Sequence, residues 1–61
     1  DNMSKIEKLV EKGVKINHPT SVEIGDEVDV DRISADGVVI YAGCKIFVAD
    51  TLILPGAKLG Y

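Results

Sequence analysis

Ile24-Gly25-Asp26-Glu27-Val28-Asp29, followed at once by Val30-Asp31-Arg32-Ile33-Ser34-Ala35, is the stretch whose reading decides the fold. Each unit opens on a branched aliphatic residue, continues with Gly or Asp, leaves two free positions, and then places a small or β-branched residue. Helix-period apolar spacing is absent here, and self-similarity at a fixed short period is the mark of stacked repeats. Downstream, Ile40-Tyr41-Ala42-Gly43-Cys44-Lys45 keeps the frame, with Cys44 in the small slot and Tyr41 out of pattern. Ile46 opens a unit with one extra residue before Ile53; Ile53-Leu54-Pro55-Gly56-Ala57-Lys58 follows, and Leu59-Gly60 begins another. Residues 30–39 admit two registers, the strict one and one starting at Ile33 with an insertion that puts Val38 in the small slot. Both stay open.

The same region reads as short strands: Val22-Ile24, Val28-Val30, Val38-Ile40, Lys45-Val48, Leu52-Leu54 and Lys58-Leu59. Gly25, Gly37, Gly43, Gly56 and Gly60 separate them and read as corner residues. Asp36-Gly37 is the one hairpin-type dipeptide. Upstream, residues 4–12 read as a helix. Ser4 and Glu7 form a capping box, and Ile6, Leu9 and Val10 make a narrow apolar stripe. So short a helix is marginal alone and is expected to dock that stripe. Gly13 is its left-handed stop. Val14-Lys15-Ile16 is a short strand, which Asn17-His18-Pro19 breaks. Asp1-Asn2 reads as a remnant ahead of a native start at Met3.

The six-residue pattern over residues 20–61 resembles the hexapeptide-repeat family. That resemblance implies a mainly β fold, a left-handed parallel β-helix of about two coils with an N-terminal capping α-helix. Aliphatic and small residues would then point inward. The lead-in Gly13-Val14-Lys15-Ile16-Asn17-His18-Pro19 resembles the segment before the β-helix of bifunctional N-acetylglucosamine-1-phosphate uridyltransferases, with His18 where that family usually has Asp. From Met3 to Tyr61 the chain is similar to the N-terminus of bacterial UDP-N-acetylglucosamine pyrophosphorylase-related proteins. The organisation expected is therefore a helix and lead-in strand over 1–19 and repeat coils over 20–61, a fragment of a longer cytoplasmic transferase. None of that family's nucleotide-binding or acetyl-transfer residues falls on a matching position. The resemblance implies a homo-oligomer, a trimer above all, and a sugar nucleotide as ligand of the longer parent.

Size and composition limit the alternatives. Sixty-one residues leave no room for paired nucleotide and substrate domains. A net charge of −3 argues against a general nucleic-acid binder, and 46% hydrophobic residues against disorder. One cysteine excludes an intrachain disulfide. The longest apolar run, Val38-Val39-Ile40-Tyr41-Ala42, is far below the roughly 20 residues of a membrane-spanning helix.

No residue reads as catalytic, cofactor-binding or metal-ligating. His18, the lone histidine, has no carboxylate spaced to orient it and reads as a turn residue. Cys44 reads as a buried small hydrophobe. The acidic run Asp26, Glu27, Asp29, Asp31 and Asp36 fails the calcium-loop pattern at its fifth and sixth positions. The glycines form no phosphate cradle. Tyr41 and Phe47 are expected to face outward and suggest subunit contact or packing under the helix. The function expected is a non-catalytic scaffold or oligomerisation segment of a nucleotidyl- or acyltransferase-like parent. The competing reading is a self-assembling structural or binding module. A small antiparallel meander with Asp36-Gly37 as its hairpin turn ranks third.

Overall fold

The computed structural model describes all residues, Asp1–Tyr61. It holds one helix, α1 (Asn2–Lys12), then β1 (Lys15–Ile16), a 3-10 turn at Pro19–Ser21, β2 (Glu23–Ile24) and a second 3-10 turn at Val30–Arg32. β3 (Val39–Ile40), β4 (Lys45–Ile46) and β5 (Lys58–Leu59) complete it.

Helix α1 forms where the apolar stripe predicts it but begins earlier. Asp1, not Ser4, is the cap: its carboxylate accepts the Ser4 N–H at 2.9 Å. Ile6 and Leu9 are buried, whereas Val10 is 50% exposed. Gly13 ends the helix at φ 114°, and its N–H donates to the Leu9 and Val10 carbonyls. An L-residue in that conformation is strained by about 1–2 kcal/mol. A methyl at Gly13 would meet only the Ala35 Cβ at an ordinary 3.6 Å, so strain alone sets the cost of Gly13→Ala. A thermal melt of that variant is expected to show a midpoint lower by about 4–8 °C per kcal/mol. An unchanged midpoint would refute the left-handed cap.

All strand pairing is parallel. β1, β3 and β5 form one three-stranded sheet in that order; β2 and β4 form a second. Ile33 and Ile53 add an isolated parallel bridge. The antiparallel meander is thereby excluded. Asp36-Gly37 makes a turn, with Gly37 at φ 67°, but the strand that follows pairs with β1 and not with the preceding segment.

The expected left-handed β-helix coils are not what the chain forms. The strands are two residues long and gather in two small parallel sheets that do not close. Lys15 pairs with Val39, Glu23 with Lys45, Ile33 with Ile53 and Val39 with Lys58, each return spanning a different number of residues. No fixed repeat of three hexapeptides survives that drift. The physical reason lies in the two 3-10 turns. Val28-Asp29-Val30, expected as a strand, becomes the entry to the second turn, because the Asp29 carboxylate accepts the Asp31 N–H and pulls the backbone round. The first turn starts at Pro19 without a side-chain cap, after His18 at φ 52°. Leu52-Leu54 reduces to the single bridge at Ile53.

One core serves the whole chain. Ile6, Leu9, Val14, Val22, Ile24, Val28, Ile33, Val38, Ile40 and Ile53 are buried in one cluster. Ile16, Cys44, Ile46 and Leu59 pack partly buried against it. The side-chain alternation of a strand accounts for the pattern: Ile24 and Ile40 turn inward while Glu23 stays outside.

Candidate functional site

The helix end of the molecule is closed by polar side chains. Asn2 stands on the first turn of α1 above β2. Its amide donates to the Val22 carbonyl at 3.1 Å and its carbonyl accepts the Ile24 N–H. One side chain thus satisfies both outward groups of that strand edge, as a neighbouring strand would. Lys5 donates to the Val28 carbonyl at 2.7 Å, and Lys12 to the carbonyls of Val30 and Ile33 at 3.0 and 2.6 Å. Two of the helix's lysines are thereby turned under it.

The outer face keeps the exposed Lys8 beside its carboxylates. Glu7 and Glu11 are exposed, one helical turn apart. The single ion pair of the chain lies elsewhere, Lys45 to Glu23 at 2.8 Å. Between the two carboxylates and the chain below lies a shallow groove of about 310 Å3, lined by Met3, Ile6, Glu7, Val10, Glu11 and Pro19.

The opposite end has no such closure. β4 and β5 each have one neighbour, so each leaves an edge unpaired. Phe47, Val48, Leu52 and Leu54 are 49%, 67%, 58% and 62% exposed and flank the Ala49–Asp50 corner along the chain. Phe47 lies over Gly25, where a Cβ would stand 2.9 Å from the ring; Gly25 is there for close approach and not as a left-handed corner. Tyr61 is 90% exposed, its ring edge-on to Tyr41 at 5.2 Å, with the Lys58 ammonium 5.5 Å from its centre.

The residues weighed in the sequence do not come together. His18 is exposed in the turn before Pro19, and its carbonyl accepts from the Ser21 N–H and hydroxyl. Cys44 is half-buried, not buried; it packs against the core with Gly60 close over its side chain. Asp26, Glu27, Asp29, Asp31 and Asp36 are all exposed, and no three acidic, histidine or cysteine side chains converge on a metal position. Phe47 faces outward as expected; Tyr41 is half-buried beneath Tyr61. Sequence reasoning missed Asn2 altogether. Its role depends on donor and acceptor meeting a strand edge 20 and 22 residues away, which no local pattern announces.

No family model, no curated protein and no solved structure matches the chain. No helix is long and apolar enough to cross a membrane.

Proposed function

We propose that the chain is a non-catalytic scaffold segment that associates with copies of itself. The observation that carries the reading is the set of exposed apolar side chains flanking the Ala49–Asp50 corner. Four large side chains, Phe47, Val48, Leu52 and Leu54, stand about half or more in water on one short stretch. Large apolar side chains left in water so densely along one stretch favour a contact site over a free face. The resemblance of Gly13 to Pro19 to the uridyltransferase lead-in favours a three-fold assembly, inside a longer sugar-nucleotide pyrophosphorylase-related protein. In that setting the segment contributes contacts and no reacting group.

Light scattering tests the reading. The wild-type chain is expected above monomer mass at tens of micromolar. The Leu52→Glu, Leu54→Glu double variant is expected to lose that association while keeping its circular dichroism, because both side chains already face solvent. A monodisperse wild-type monomer at that concentration would sink the proposal, as would uridyltransferase turnover by the isolated chain.

A further inference from the structure

We infer that Asp36-Gly37 is a site of spontaneous backbone rearrangement, at which the folded chain converts Asp36 to an isoaspartyl residue and loosens β3. Both residues are exposed, and Gly37 holds φ 67° in the turn before β3. The Asp36 carboxylate accepts no hydrogen bond, and the chain's single ion pair lies elsewhere, between Lys45 and Glu23. The Gly37 N–H donates to no carbonyl. A carboxyl and the amide nitrogen that follows it thus stand side by side in water, neither with a partner. Glycine adds no Cβ to block approach to its nitrogen.

The reaction needs no co-reactant but water. The Gly37 nitrogen attacks the carbon of the protonated Asp36 carboxyl. The new N–C bond closes a five-membered imide, and the carboxyl hydroxyl leaves as water with the proton of the Gly37 N–H. Water then reopens the ring. Addition at the side-chain carbonyl restores aspartate. Addition at the backbone carbonyl breaks that carbonyl's bond to the Gly37 nitrogen. The chain then continues through the side-chain carbon, and the former backbone carbonyl ends as a free carboxylate. Closure asks the Asp36–Gly37 peptide to rotate. One hydrogen bond holds that peptide, from the Gly56 N–H to the Asp36 carbonyl at 2.8 Å. An exposed turn tied so lightly opens at little cost.

No other Asp or Asn is placed this way. Each of them precedes a residue whose side chain crowds the nitrogen. Asp1, Asn2 and Asp29 are held besides by hydrogen bonds of their own. Rearrangement at Asp36 adds one atom to the backbone just ahead of Val38, which is 1% exposed in the core. It also lengthens the lead into β3, the middle strand of the order β1-β3-β5. A close-packed interior has no slack for that shift, so β3 loosens from both neighbours.

Isotope uptake decides the matter. The whole folded chain is kept warm at mildly acidic pH in water enriched in heavy oxygen, then digested and mapped by mass spectrometry. One heavy oxygen is expected at residue 36, with isoaspartate there. Its rate is expected within about tenfold of the same chain unfolded in guanidinium chloride, since the exposed turn gains little protection from the fold. Asp36→Glu is expected to take up no label at that position, because the larger ring closes far more slowly. Asp36→Asn is expected to react faster, expelling ammonia in place of water. The isoaspartyl chain, separated by chromatography, is expected to melt below the parent. Its Lys15 and Val39 amides, which donate to the Val38 and Ala57 carbonyls, are expected to exchange faster. Label that enters residue 36 only after unfolding, or that spreads evenly over the aspartates, would overturn the site. An isoaspartyl chain with the parent's melt and exchange would overturn the loosening of β3.

Discussion

Val28→Lys is expected to unfold the chain at room temperature. Val28 is 1% exposed and belongs to the single core, at the junction between β2 and the 30–32 turn. Lysine there forfeits about 1.5 kcal/mol or more of apolar burial. It also places an unpaired ammonium among aliphatic side chains, for several kcal/mol more. A chain of this size without staples holds only about 3–5 kcal/mol in total. The loss therefore exceeds the reserve. Lysine at Cys44 provides the contrast. That side chain is half-buried in the last layer, so a long stem can lie along the core and carry its charge into water. Far-ultraviolet circular dichroism on both variants reads the difference. A Val28→Lys chain melting like wild type would refute the inward placement of Val28.

Asn2→Ala is expected to be the most damaging change outside the core. It leaves the Val22 carbonyl and the Ile24 N–H without their partner. Each orphaned, partly buried group costs about 1–3 kcal/mol. Alanine returns only a few tenths through its helix propensity. A net loss of about 2–4 kcal/mol is expected in the denaturant midpoint, with an unchanged slope. Asn2→Asp keeps the acceptor and loses the donor, so it is expected to fall between. Amide exchange at Ile24 is the specific readout: it should rise strongly in Asn2→Ala. Exchange at the wild-type rate would remove the strand-edge role of Asn2.

The same pair of residues shows how far the sequence could be read. Val28 was legible, because its spacing from Ile24 marks it as inward whatever the larger fold. Helix α1, its stop at Gly13 and the short strands flanked by glycine were legible for similar reasons: apolar period and left-handed backbone are local. The closing role of Asn2 was not, and neither was the true start of the helix. Both rest on contacts across the chain, and Asp1-Asn2 carries no periodic signal. The reach of Lys5 and Lys12 was hidden for the same reason. Both are ordinary helix-surface residues until they are seen to bond carbonyls underneath.

The six-residue pattern taught the opposite lesson. It located Ile24, Val28, Ile40 and Ile53, all buried; Ile33, also buried, was inward in only one of its two open registers, and Val30, Cys44 and Ile46, inward in the strict frame, are half-buried. It did not locate the returns of the chain. Where the hexad frame asked for a strand at 28–30, the Asp29 carboxylate found a nearer partner in the Asp31 amide, and a 3-10 turn resulted.

By itself, then, the sequence determined most of the side chains that go inside, where the helix stops and where glycine interrupts the strands. Those outcomes depend on burial and on φ preferences within a few residues. Only the tertiary structure decided the register of the parallel pairs, the unclosed sheets, the closure of one end by Asn2, Lys5 and Lys12, and the exposure of the other. Those depend on which backbone groups meet across some twenty residues of chain, where a hydrogen bond to a near carboxylate competes with a ladder to a distant strand.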